Sequence, residues 1–253
     1  MPVPIIDSHC HAGKGDGFTG PWDTRAPLHD YLQWCVDAGI RKTVLFAAFS
    51  NDYAKANDEV AKIVDSNRER FYGYAFLHPE KDRKRIYQLV DTAVNQYGFC
   101  GIKVHRYDAR ITREICEVAR MFSLPVLYDV MGEIWSVELI ATEYPDVHFI
   151  IPHLGTFSDD WKTQLAFIDH LARHKNVYTD CSGVKRFDLL KMAYRRAGAH
   201  KILFGSDGPW LHPGVELSKI FYLKAKPEEE RFMLSGNFLR LTQQSRQVLS
   251  KVA

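Results

Sequence analysis

The stretch IIDSHCHAG, residues 5–13, starts like a buried strand and then turns polar. Ile5 and Ile6 suit a core strand. Asp7, Ser8, His9, Cys10 and His11 do not. In an extended chain residues i and i+2 face the same way, so His9 and His11 point together and Cys10 points opposite. The same alternation predicts Asp7 on the histidine side, one layer deeper. Two imidazoles buried side by side are costly unless bonded or paired. A divalent ion answers both needs, because each neutral ring offers it a lone pair. Two hydrogen-bonded polar residues on a loop would read the same way, so this short pattern needs support from the rest of the chain.

That support comes from seven further short apolar runs: KTVLFAAF (42–49), FYGYAFL (71–77), GIKVH (101–105), PVLYDV (125–130), VHFIIPH (147–153), NVYTDCS (176–182) and KILFGSD (201–207). With PIID (4–7) they make eight. Each is rich in β-formers and bounded by polar or turn residues, which predicts strands. Longer amphipathic segments separate them. LHDYLQWCVDAG (28–39) sets Leu28, Leu32 and Cys35 or Val36 on one stripe, and NDEVAKIVDSNRERF (57–71) offers Asn57 as a cap. Eight strand–helix units over 253 residues match the count and size of a (β/α)8 TIM barrel, read here as one domain over 1–253. An open doubly wound sheet shares the alternation.

Several strands end in groups fit for metal or acid–base chemistry. The fourth ends Lys103-Val104-His105, the fifth Tyr128-Asp129 and the sixth Pro152-His153. The seventh carries Asp180, and the eighth ends Ser206-Asp207. In a barrel these tips meet at the C-terminal mouth, where active sites of this architecture are built. A competing motif, G-D-G-F-T-G at 15–20, fits the dinucleotide pattern G-x-G-x-x-G. No helix can open there, because Pro21 and Pro27 follow, and no strand ends in an acid some 20 residues on. A glycine-rich loop over the mouth is the better reading.

Composition narrows the partners. The net charge is +2, with Lys and Arg scattered among Asp and Glu, so no basic stripe calls for nucleic acid. No apolar run approaches a membrane span. The N-terminus lacks the pattern of a signal peptide, and the five cysteines are odd in number and far apart. These features predict a cytoplasmic protein with reduced thiols and a small-molecule substrate. A homo-oligomer is compatible with the sequence, but no heptad or exposed apolar helix announces an interface.

His-Cys-His after the first strand, IIPHLG after the sixth, LFGSDGPW after the eighth and the closing LSGNFLRL together resemble the amidohydrolase superfamily, in its amidohydrolase 2 branch of TIM-barrel metal-dependent hydrolases. The resemblance spans the chain. It implies His9 and His11 as metal ligands and Asp207 as a ligand that also moves the proton. It implies His153 as a ligand or as an acid–base and oxyanion group. Where relatives often carry a fifth-strand histidine, this chain has Asp129, as a ligand of a harder ion or as a residue that orients one. Lys103 lies near where some members carry a carboxylated lysine; the simpler expectation is a lysine paired with Asp129 or with a substrate carboxylate. Lys103, His105, Asp180 and Trp210 are candidate substrate contacts. The remaining histidines, His170 and His174 among them, read as surface or structural.

The resemblance implies a metal-dependent hydrolase of a small lactone, ester or amide, with Zn2+ or Mn2+ as the ion. A non-oxidative decarboxylase of an aromatic or unsaturated acid uses the same ligands. A metal-free ligand-binding barrel is the reading from another class.

Overall fold

A computed structural model describes residues 4–16, 24–157 and 160–243. Within them the eight expected strands are present: β1 (Ile5–Ala12), β2 (Ile40–Ala47), β3 (Phe71–Gly73, resuming after Tyr74 as Ala75–Phe76), β4 (Ile102–His105), β5 (Val126–Asp129), β6 (Phe149–Ile151), β7 (Val177–Asp180) and β8 (Ile202–Leu203). Sequential neighbours pair in parallel from β1 to β3 and from the second segment of β3 to β8. Tyr74 bridges the break in β3, its N–H bonding Leu45 O at 2.9 Å. The chain past β8 returns to β1: Ser8 N donates to Phe204 O at 3.0 Å and Asp207 N to His9 O at 2.8 Å. Cys10 bridges Gly208 in parallel, so the strands form a ring. This is the expected TIM barrel.

Outside the ring lie α1 (His29–Asp37), α2 (Tyr53–Ser66), α3 (Ile86–Asn95), α4 (Arg113–Met121), α5 (Trp135–Glu143), α6 (Trp161–Arg173), α7 (Phe187–Ala197) and α8 (Pro213–Tyr222). Each follows a strand, as right-handed parallel crossovers require. No helix among the described residues is long and apolar enough to cross a membrane. The closing segment runs from Pro227 to Leu241 as successive helical turns. There Asn237 Nδ2 donates to Ala199 O and Ile202 O at 2.8 and 2.7 Å, which ties the closing helix to the start of β8.

Three local expectations change. α1 takes Cys35 rather than Val36 into the core and adds Tyr31, which the stripe did not include. α2 starts four residues before Asn57. Its cap is Asp52, whose carboxylate accepts from Lys55 N at 3.2 Å. Asn57 is instead buried in the helix and exchanges two hydrogen bonds with the Phe76 backbone, at 2.8 and 2.9 Å. It fixes the end of β3 against α2.

The third change concerns β1. Asp7 pairs with Thr43 and Cys10 with Leu45, so three steps along β1 oppose two along β2. This bulge breaks the alternation. Asp7 therefore faces α1 rather than the barrel interior. Its Oδ2 accepts from Tyr31 at 2.8 Å, and its Oδ1 accepts from Ser206 N at 2.9 Å and His9 N at 3.1 Å. Burial, opposed by the hydroxyls of Ser206 and Tyr31, pushes its carboxyl up to about 6. His9 and His11 keep the shared face that the sequence assigned them, while Cys10 is buried on the opposite side near Tyr31.

Candidate metal centre at the barrel mouth

His9, His11 and Asp207 converge, each presenting one ligand atom within 4.8 Å of the other two. His9 Nε2 lies 3.2 Å and His11 Nε2 3.6 Å from Asp207 Oδ1. The far nitrogens are already engaged. His9 Nδ1 is 2.7 Å from Asp180 Oδ2, and His11 Nδ1 is 2.9 Å from Ala47 O. A carboxylate and a carbonyl accept only, so both Nδ1 atoms carry a hydrogen, and in the neutral rings that a metal requires both Nε2 atoms present lone pairs.

His9 Nε2 is buried and makes no hydrogen bond despite its 3.2 Å approach to Asp207. A lone pair facing a carboxylate oxygen calls for a cation between them. Burial lowers the His11 ring well below the usual imidazole range, which keeps its lone pair free. For Asp207 burial acts upward, but the surrounding imidazoles of His9, His153 and His11 outweigh it and hold the carboxyl low. Two imidazole nitrogens and one carboxylate oxygen, backed by hydrogen bonds on their far sides, fit a zinc-like or manganese-like divalent ion.

Backbone geometry sets these groups. Asp207 (φ 58°) and His153 (φ 59°) both sit in the left-handed region, sparsely used by residues other than glycine. Gly205 permits the close approach of β8 to β1 and β7. A Cβ there would stand 2.9 Å from His9 Cβ and 3.0 Å from Asp180 Cβ.

The remaining candidates form a second tier. Asp129 lies outside the tight trio. Its Oδ1 accepts from Met131 N at 2.9 Å, and its Oδ2 lies 3.2 Å from His105 Nε2 and 3.5 Å from His153 Nε2. His105 Nδ1 accepts from Tyr107 N at 3.0 Å, so its hydrogen sits on Nε2 and faces Asp129. Burial raises the Asp129 carboxyl, but the two histidines outweigh burial and hold it well below the usual range. His153 Nδ1 donates to Ser182 O at 2.8 Å. Burial would lower the His153 ring, yet the Asp129 carboxylate holds it up at about 9.

Asp180 stands behind His9 rather than at the open mouth. Fully buried, it accepts from Ser182 Oγ at 2.6 Å and Ser182 N at 3.0 Å besides holding His9. Lys103 does not pair with Asp129. Its Nζ is fully buried without a hydrogen bond, 5.0 Å from the centroid of the Phe46 ring. Burial lowers its amine, against the pull of Asp129, Asp207 and Asp180. Trp210 packs on His11 with ring centroids 4.4 Å apart and donates from Nε1 to Arg25 O at 3.2 Å.

Other strand-tip cations serve local pairs, Arg106 with Glu133 and Arg186 with Asp188. The Gly15–Gly20 loop lies outside the described residues from Gly17 onward. Sequence reasoning missed the aromatic wall of Phe46, Phe49 and Phe76, whose rings sit 4.5, 5.7 and 6.3 Å from that of His11. Apolar residues at strand tips look like core, and only the ring of strands shows which ones border the site.

Known proteins share the fold. No curated protein matches the sequence. Among solved structures, an uncharacterized TIM-barrel protein from Bordetella bronchiseptica is 15% identical, with 96% of this chain and 99% of that one covered at a TM-score of 0.74. 4-Oxalomesaconate hydratase from Rhodopseudomonas palustris is 17% identical over 97% and 98%, at 0.73. Dihydroxybenzoic acid decarboxylase from Polaromonas sp. JS666, solved with bound manganese and 2-nitroresorcinol, is 16% identical over 97% and 98%, at 0.72. These likenesses show a shared fold. The sequence profile described as amidohydrolase matches residues 6–241, from the first strand to the closing helix, and the chain belongs to that family.

Proposed function

We propose that this protein is a metal-dependent hydrolase of a small lactone, ester or amide that carries a carboxylate. The observation that carries the reading is Asp207, an ionised carboxylate facing two imidazole lone pairs and close to the cationic His153. His9, His11 and Asp207 would hold the ion, and Asp129 and His153 lie one step further out. When bound, a divalent ion there acidifies water and polarises a carbonyl oxygen.

The protein's own groups supply the rest. The histidine contacts fall on Asp207 Oδ1, leaving Oδ2 to take a proton from the attacking water. Asp207 then returns that proton to the leaving group. His153, held cationic by Asp129, stabilises the developing oxyanion. Asp129, whose Oδ2 also meets His105, keeps His153 charged. Lys103 takes the substrate carboxylate in a dry site, where an ion pair is strong. Zinc suits the two-histidine, one-carboxylate set. Manganese, present in the Polaromonas decarboxylase, is the second candidate.

The buried unpaired Lys103 beside a wall of aromatic rings also favours a second reading, decarboxylation of a planar unsaturated acid. There His153 is the natural proton donor to carbon, since Asp207 rests ionised.

The test is turnover of metal-loaded protein on a panel of lactones, esters and aromatic acids, with Asp207→Asn alongside. The hydrolase reading expects ring opening or ester cleavage and a loss of about 1000-fold or more in the variant. Near-wild-type activity in Asp207→Asn would sink this mechanism. Release of CO2 without incorporation of solvent oxygen would transfer the assignment to the second reading.

A further inference from the structure

A second cluster lies on the opposite face of the barrel. Glu138 projects from α5, His170 from the last turn of α6, and His174 is the residue that closes that helix. His174 leads into β7 three residues before Val177, so the cluster sits at the strand's N-terminal end, away from Asp180 at its tip. Glu138 Oε2 is 3.1 Å from His170 Nδ1 and 3.0 Å from His174 Nε2. All three ligand atoms lie within 4.8 Å of one another.

We propose that Glu138, His170 and His174 form a second divalent-cation site, of zinc type, that clips α5 to the junction of α6 and β7.

Three observations carry this. First, tetrahedral zinc with nitrogen and oxygen ligands at 2.0–2.1 Å sets those ligands about 3.3 Å apart, close to the spacing found here. Second, His170 Nδ1 stands 3.1 Å from Glu138 Oε2, and the Arg173 guanidinium contacts both atoms, so the pair already gathers a cation. Third, the frame is rigid. Lys201 Nζ holds the His174 carbonyl. Asn176 Nδ2 donates to Ala141 O, Tyr144 O and Val147 O at 3.2, 2.9 and 3.1 Å, which binds the segment after His174 to the end of α5. Such support lowers the ordering cost of a metal site.

Arg173 is the competitor. Its guanidinium also contacts Glu138 Oε2. A metal ion must displace it, so Arg173 weakens the site and its removal should strengthen it.

The test is a zinc titration of untagged, EDTA-stripped protein against a chromogenic zinc indicator, with Tm recorded in parallel. Wild type should bind one equivalent more than His170→Ala/His174→Ala, and zinc should raise the Tm of wild type by more. Arg173→Ala should bind that equivalent at least threefold tighter. His9→Ala/His11→Ala should retain it, which separates this site from the barrel mouth. Equal stoichiometry in wild type and His170→Ala/His174→Ala would overturn the proposal, as would loss of all zinc in His9→Ala/His11→Ala. Glu138→Gln guards against misfolding of the double variant: it preserves shape, and unchanged zinc affinity in it would also overturn the assignment.

Discussion

His9 and Asp180 are bonded at 2.7 Å through Nδ1 and Oδ2, 171 residues apart in sequence. The contact settles which nitrogen of His9 carries its hydrogen, and so which one faces Asp207. It also explains why a fully buried aspartate stays ionised. Burial raises its carboxyl, but His9, His153 and Ser182 more than offset that and hold it below the usual range.

Asp180→Asn removes the charge behind His9 with little change in shape. The ring loses its fixed orientation and some of its basicity. We expect divalent-ion affinity at the mouth to fall roughly 10–100-fold, as measured by indicator competition. Unchanged affinity would mean that His9 needs no such partner.

Lys103→Met should have opposite effects on stability and on substrate binding. The variant removes an unpaired buried amine, so it should unfold at higher denaturant, by about 1–3 kcal/mol. Wild-type stability should also climb as pH rises toward the ordinary lysine value of 10.5, because the folded amine gives up its proton below that value. The variant should lose this slope. KM for a carboxylate-bearing substrate should rise about tenfold or more, with kcat less affected. A destabilised variant with unchanged KM would contradict both roles.

Gly205→Ala inserts a methyl against His9 Cβ at 2.9 Å and Asp180 Cβ at 3.0 Å. Both contacts are strand-borne and cannot swing aside. Equilibrium unfolding should show a loss of about 1–3 kcal/mol. Metal affinity should drop with it, because the same methyl pushes His9 from Asp180.

Asp7 provides a contrast between two substitutions. Asp7→Ala strands the backbone N–H groups of His9 and Ser206, which should cost about 2–4 kcal/mol. Asp7→Asn keeps an oxygen for the two N–H groups, and the hydroxyls can turn to accept from its amide. Its cost should stay under about 1 kcal/mol near neutral pH. The wild-type carboxyl is raised to about 6 in the fold. The folded state therefore holds that proton more tightly than the unfolded chain does. Its stabilising contribution is full below the ordinary value of 3.8 and is lost as pH climbs through 6. Asp7→Asn should lack this fall, which denaturant midpoints between pH 4 and 7 would reveal.

Much of this molecule is legible in one dimension. β-forming runs such as PVLYDV and amphipathic runs between them carry their own period, so the eight strands and their order can be read locally. The H-x-H of β1 and the Asp and His residues at strand tips mark the mouth for the same reason, since a strand's end is a local property. What the sequence could not show is which tips touch. The bulge between Asp7 and Cys10 depends on the pairing of β1 with β2 and turns Asp7 toward α1. Asp180 stands behind His9, and Asp129 turns to His105 and His153 rather than to Lys103, because ring closure sets the distances across the barrel. Glu138 meets His170 and His174 only where α5 packs beside the end of α6. Secondary structure follows from neighbours in sequence; ligand sets, tautomers and unpaired charges follow from neighbours in space, and those exist only once the barrel has closed.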